Sequence, residues 1–257
     1  LDYILVCTVA LVASGLTFFS GFGLGTLLMP AFAVFFPLEI AIAATAVVHF
    51  ANNLFKLALT AKSAHARTLL GFLPAAVAAA LLGAWLLSSL GHAPPLTTYT
   101  LGSAERSVSP VKAAVAAVIL FFSVVEFLPA FDRLAFDRKW LPVGGAISGF
   151  FGGLSGHQGA LRAAFLIRCG LSKEQFIATG VVCSCVVDFS RLGVYSIQVR
   201  ASHAHIPWLL VAAAAAAALA GTLVGSRLVH KVTIRTVRIV VAVGLGLFAL
   251  ALGAGLV

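Results

Sequence analysis

Residues 141–170 read LPVGGAISGFFGGLSGHQGALRAAFLIRCG, and residues 3–36 read YILVCTVALVASGLTFFSGFGLGTLLMPAFAVFF. Each is an apolar run broken near its middle, by Ser155-Gly156-His157-Gln158-Gly159 in one and by Gly21-Phe22-Gly23-Leu24-Gly25 in the other. The arm after each break ends near Gly170 or at Pro37. Neither arm can cross a hydrocarbon core ~30 Å thick, because ~12 helical residues reach only about 18 Å. The two segments, 3–36 and 141–169, therefore read as helices broken inside a membrane, each ending in a half-helix.

Outward from the breaks lie six runs with the length and polarity of complete membrane helices: 40–60, 69–90, 111–131, 176–198, 206–226 and 236–257. The order is one broken segment and three spans, twice over. With an offset of 134, Gly15 falls on Gly149, Gly25 on Gly159, Thr45 on Thr179 and Phe55 on Phe189. The chain thus divides into a first repeat at 1–131, a cytoplasmic linker at 132–140 and a second repeat at 141–257. Composition agrees: 61% of the 257 residues are hydrophobic and 10% charged, against about 25% charged in soluble domains. The net charge of +9 sits in short connectors, where it signals cytoplasmic anchoring and excludes nucleic acid as a partner.

Charge placement also discriminates between two topologies. If each broken segment crosses completely, the connector Lys and Arg residues divide six against eight; if each dips in and returns, they divide eleven against three, with only Arg106, Lys112 and Arg200 opposite. The second division is the asymmetry that the positive-inside rule expects. The expected fold is an all-α polytopic membrane protein of two inverted repeats, each one broken re-entrant helix plus three transmembrane helices, with both termini outside. The start, Leu1-Asp2-Tyr3, has no basic region, so no cleavable signal peptide is expected. The connector at about 91–110, with two prolines and several Ser and Thr residues, reads as an ordinary exposed loop.

A helix broken within a membrane leaves unpaired N–H groups and partial positive charge at the start of its second half. Lipid does not satisfy those groups, but an anion does. Two such starts, near Gly23 and Gly25 in one repeat and Gly156 and Gly159 in the other, would cradle a small anion at the midplane. Glycine there admits close backbone approach and positive φ; it serves equally for helix packing.

Polar residues within the spans extend the candidate site. Asp188 and Arg191, three residues apart, share one helix face and can pair. They read either as a structural ion pair or as an anion contact, Arg191, with a coupling residue, Asp188. The first repeat offers Asn52, Asn53 and Lys56 in the matching helix, although Lys56 is near enough to its end to snorkel. Ser155, His157, Gln158 and Arg162 belong to the second break and its half-helix. Thr45 and Thr179 line the cavity or bond back to their own helices. Cys7, Cys169, Cys183 and Cys185 lack metal-site spacing and read as packing residues.

The break Gly21 to Gly25 with Pro30 and Pro37, then Ala43-Ala44-Thr45, and later Ala178-Thr179 and Asp188-Phe189-Ser190-Arg191-Leu192-Gly193-Val194-Tyr195, resembles the TauE/SafE family of sulfite exporters over nearly the whole chain. The resemblance implies an inner-membrane transporter, not an enzyme, for sulfite, organosulfonates or related small sulfur-containing anions. The second break departs from an all-glycine pattern by carrying Ser155, His157 and Gln158, which bears on substrate and direction. No nucleotide loop, dinucleotide fingerprint or metal cluster occurs in the sequence, so no cofactor is expected. The partners are a small anion, the lipid bilayer and a coupling ion, proton or sodium; oligomeric state is unreadable. Two alternatives compete. A passive anion channel shares the repeats and dipoles. Gly153-Leu154-Ser155-Gly156 also matches the context of intramembrane serine proteases, with His49 and Asn53 at an oxyanion-hole-like spacing, but His203, His205 and His230, the later histidines that could serve as base, lie in or beside loops.

Overall fold

The computed structural model describes residues 1–16, 24–128, 134–201, 205–228 and 234–257. Its helices are α1 (Asp2–Leu16), α2 (Leu24–Ala33), α3 (Leu38–Thr60), α4 (Ala66–Gly91), α5 (Pro110–Phe127), α6 (Leu141–Ser155), α7 (Gly159–Leu166), α8 (Lys173–Ala201), α9 (Trp208–Leu228) and α10 (Ile234–Gly253). The stretch 17–23, which holds Gly21 and Gly23, lies outside the described residues. Short-range chemistry sets several boundaries. His65 accepts the Thr68 N–H and caps α4; Ser109 accepts the Lys112 N–H and caps α5, which opens on Pro110.

Among the described residues, four helices are long and apolar enough to cross a membrane: Leu38–Ser63, Ala66–Gly91, Lys173–Arg200 and Trp208–Gly225. The 26 residues of Ala66–Gly91 reach about 39 Å at 1.5 Å per residue, beyond a ~30 Å core. The expected spans 111–131 and 236–257 correspond to α5 and α10, whose apolar stretches Pro110–Val125 and Val241–Gly253 are shorter. The outer surface is greasy where a soluble protein would be polar: Leu70 and Leu209 are 75% exposed and Phe189 71%. The polar side chains Asn52, Asn53, Gln158, Asp188 and Arg191 are buried instead, which is the distribution that a lipid solvent imposes.

One expectation is corrected. The connector at 91–110 is not a plain loop: within this largely helical, all-α fold, Thr97–Leu101 (β1) and Ala104–Val108 (β2) form an antiparallel hairpin. The β-branched and aromatic run Thr97-Thr98-Tyr99-Thr100 favours strand, and Gly102 at φ +65° turns the chain. The hairpin is fastened to the chain's end, for the Tyr99 hydroxyl donates to the Ala254 carbonyl and Arg106 to that of Leu256.

Glycine decides which helices pair. A Cβ on Gly145, Gly149 or Gly153 of α6 would sit 2.2, 2.1 or 2.0 Å from the carbonyl oxygens of Phe72, Ala76 and Ala80 in α4. A Cβ on Gly221 or Gly225 of α9 would likewise lie 2.0 or 2.3 Å from the carbonyls of Leu11 and Gly15 in α1. Backbones touch along both seams, as small-residue packing in membranes allows. The principal pairings are thus α1 with α9 and α6 with α4, while α3 packs on α8 and α5 on α10. α3 runs antiparallel to α8, since His49 meets Asp188 near the middle and the chain just past α3, at His65, meets Thr179 near the start of α8.

Candidate functional site

α6 stops at Ser155 because Gly156 takes the left-handed conformation, φ +85°, which other residues adopt only with strain. Three residues later α7 starts at Gly159. The chain then turns back: the Phe136 N–H donates to the Ala164 carbonyl (3.1 Å) in the last turn of α7. The Phe136 and Phe165 rings stack at 4.3 Å, and Arg168 lies 3.7 Å from Asp137. The end of α7 therefore sits beside the segment that leads into α6.

Asp188, fully buried in α8, is the hub of the polar residues. One carboxylate oxygen accepts from Gln158 Nε2 (3.0 Å) and Arg191 Nε (3.1 Å), with Arg191 Nη2 at 2.9 Å. The other accepts from His49 Nδ1 (2.6 Å) and, at 3.4 Å, Asn53 Nδ2. Arg191 spends its remaining reach on the Gly152 carbonyl, 3.2 Å from Nη1. Tyr195, one turn on, donates to the Gly153 carbonyl. α8 thereby grips both the side chains and the backbone of the second break. Its apolar surroundings weaken screening, so each of these charge-assisted bonds counts for more than it would in water.

The first break reaches the same place. A Cβ on Gly25, second residue of α2, would lie 3.6 Å from the His49 ring and 3.8 Å from the Gly156 carbonyl. Leu24, Gly25 and Thr26 are all buried. The start of α2 thus meets the α6–α7 break against His49.

The other sequence-derived candidates divide. Arg162 is buried and joins the cluster's edge, donating to Ser184 Oγ (2.7 Å) and to Gln158 Oε1 (3.5 Å). Lys56 is also buried and does not snorkel. His157 is buried, stacks on Phe122 with ring centres 5.5 Å apart, and has Nδ1 3.1 Å from Ser155 Oγ, while its Nε2 has no hydrogen-bond partner among the described residues. Ser155 donates back to the Phe151 carbonyl of its own helix (3.1 Å). Asn52 turns from the cluster to α9, accepting from the Thr222 hydroxyl (2.8 Å). Thr45 is buried with its hydroxyl unpartnered among the described residues. Thr179 is not part of the cluster; its hydroxyl accepts the His65 N–H (3.0 Å) and ties α8 to the α3–α4 connector. Gly23 lies outside the described residues. The four cysteines are free, three of them buried.

Sequence reasoning assigned no role in the anion site to His49, Ser184, Ser148 or Gly152. The signal for His49 was available: an imidazole inside an apolar span, one turn before Asn53 on the same face. Ser148, which donates to the Gln158 carbonyl (2.9 Å), looks like any small residue of a membrane helix. Among the described residues no group of three or more His, Cys, Asp or Glu side chains could hold a metal ion.

A protein-family model described as "Sulfite exporter TauE/SafE" matches residues 6–252. No curated protein and no solved structure matches the chain.

Proposed function

We propose, from the premise that this chain belongs to the sulfite exporter TauE/SafE family, that this membrane transporter of a small anion is a secondary carrier for sulfite, an organosulfonate or a related sulfur oxyanion, working as an exporter in a bacterial inner membrane. The observation that carries the reading is the meeting of Gly25, at the start of α2, with Gly156 and His49 beside the buried Asp188 cluster. Two helix starts converge where no lipid can reach. Their leading N–H groups lack helical acceptors, and the dipoles behind them favour negative charge.

The architecture proposed is two inverted repeats, each a re-entrant broken helix followed by three crossings. Support comes from the exchanged pairings of the broken segments, α1 on α9 and α6 on α4, and from the antiparallel contact of α3 with α8. The Phe136 to Ala164 bond supports a second segment that returns to the face it left. The excess of basic connectors then faces the cytoplasm, with both termini outside.

In this mechanism the anion enters from the cytoplasm and lies between the starts of α2 and α7. Gly25, Gly156 and Gly159 give backbone access, Arg162, His157 and Gln158 flank it, and Thr45 and Asn53 contribute from α3. Arg191 supplies positive potential while its N–H groups hold Asp188 and the Gly152 carbonyl. Asp188 joins the two repeats electrically, so it is the centre of coupling. One repeat then rocks against the other and opens the site outward.

The test is flux of sulfite, thiosulfate and methanesulfonate from liposomes containing the purified chain. Saturable flux that responds to a proton or sodium gradient is expected. Flux that rises linearly with concentration and ignores both gradients would mean a channel, and no flux of any of the three would remove the assignment.

A further inference from the structure

We infer that His49 is a proton-binding site of this chain, and that anion binding is coupled to a proton on its Nε2 and not to sodium. The inference rests on the transporter reading above.

The argument begins with what Asp188 can still accept. An ionised carboxylate offers about four lone-pair positions. Here they face Gln158 Nε2, Arg191 Nε and Nη2, His49 Nδ1 and Asn53 Nδ2, all of them nitrogens within 3.4 Å. A hard cation needs several oxygen ligands converging on one point, and around this carboxylate the neighbouring atoms are N–H donors. A proton is no better placed on Asp188, because it would discharge the only anionic partner that the buried Arg191 guanidinium has among the described residues. Asp188 is therefore a fixed negative charge, and the exchangeable proton must sit on a neighbour.

His49 is that neighbour. A carboxylate only accepts, so Nδ1 carries hydrogen and donates to Asp188 across 2.6 Å. This fixes the tautomer and leaves the Nε2 lone pair to take the proton. The side chain is 13% exposed, whereas that of Asp188 is 0% exposed, so the imidazole is the less enclosed member of the pair. Its Cδ2, bonded to Nε2, is the ring atom that faces Gly25, where the absent side chain leaves the start of α2 open to the ring edge. Asn53 Nδ2 lies nearer Nδ1, at 3.1 Å, than Nε2, at 3.4 Å, so its contact falls toward the Asp188 side of the ring.

The charges around His49 set the sign. On α8 Asp188 favours the imidazolium and Arg191 opposes it; on α3 itself Lys56 opposes it, and beyond the second break Arg162 and any charge on His157 do the same. α2 carries no ionisable side chain, and α9 carries only Arg227, in its last turn. Asp188 and Arg191 cancel, so a proton on His49 adds one positive charge beside the helix starts. An anion there stabilises that proton. By linkage the proton tightens anion binding by the same factor.

The experiment uses the purified full-length chain in detergent with methanesulfonate and thiosulfate, whose charges stay constant across the range in which imidazole titrates. Proton uptake on binding is followed with a pH indicator in weak buffer, and affinity by calorimetry in sodium, potassium and choline salts. The expected result is about one proton taken up per anion and a dissociation constant that rises about tenfold per pH unit on the alkaline side, with no dependence on the cation. In His49→Gln binding persists at reduced affinity and proton uptake disappears. Binding by the wild type without proton uptake, uptake unchanged in His49→Gln, or a requirement for sodium would overturn the inference and leave the transporter reading intact. Failure of the wild type to bind either probe or sulfite would instead remove that reading, and the inference with it. If His49→Gln does not fold, His157→Gln decides, because His157 Nε2 is the other imidazole nitrogen beside the site and has no hydrogen-bond partner among the described residues: proton uptake retained in that variant supports His49, and uptake lost there overturns the inference.

Discussion

Replacing Asp188 by Asn keeps the shape of the side chain and removes its charge, which isolates what the carboxylate does. Arg191 is 1% exposed, and the Asp188 carboxylate is its only anionic partner among the described residues. Breaking a buried ion pair by deleting one partner is worth about 3–5 kcal/mol, because the remaining charge stays buried without compensation. The new amide NH2 must also face one of the donors that Asp188 now satisfies, His49 Nδ1 or Gln158 Nε2, which adds about 1–3 kcal/mol. A loss of that size removes much of a typical ~5–15 kcal/mol margin. We expect Asp188→Asn to insert into the membrane, to melt well below the wild type in detergent and to transport nothing in liposomes. The partner experiment separates stability from function. In Asp188→Asn with Arg191→Met the buried charges vanish together while an amide oxygen still accepts at position 188, so stability should recover most of the ~3–5 kcal/mol while flux stays at background. The reasoning is refuted if Asp188→Asn melts and transports like the wild type, or if the double variant is as unstable as the single one.

Three further outcomes are expected. Gly149→Val should abolish the monodisperse peak in size-exclusion chromatography, because its Cβ would lie 2.1 Å from the Ala76 carbonyl and backbone cannot yield the way a side chain does, well beyond the usual ~1–3 kcal/mol of overpacking; Gly193→Ala, with nothing within 4 Å, should leave that peak and the melting temperature unchanged or slightly improved. Gly156→Ala should fold but lose several-fold in flux, since φ +85° strains any Cβ and that atom would sit 3.0 Å from Arg191 Nη1, a penalty of about 1–2 kcal/mol from the backbone alone. Single cysteines at Arg138 and Arg168 on a cysteine-free background should both react with an impermeant thiol reagent from one face of the membrane and a cysteine at Arg106 from the other; labelling of 138 and 168 from opposite faces would rule out the re-entrant second segment.

Some of this molecule was legible one segment at a time. The second break was readable because Gly156 sits between two apolar arms, and hydropathy alone marked α3, α4, α8 and α9 as long apolar helices. The hairpin at 97–108 was missed because two prolines and many Ser and Thr residues resemble a loop, whereas the strand signal lies in the alternation about Tyr99 and in a docking partner, Ala254, far along the chain. The residues around Thr179 allow it either to line the cavity or to bond back to its own helix; only packing between distant segments gives its hydroxyl the His65 N–H.

What the sequence determined by itself was the solvent of this protein and the position of at least one of its breaks, because apolar length, charge placement and glycine are local properties that water, lipid and the backbone read directly. What only the tertiary structure decided was the company each buried polar group keeps. His49 and Asp188 are 139 residues apart in the chain, and they meet because the glycine seams of α6 on α4 and of α9 on α1 bring backbones into contact and set the neighbouring helices α3 and α8 face to face. Burial then forces every charge to find a partner, and which partner it finds depends on packing between distant segments, which no local pattern of residues encodes.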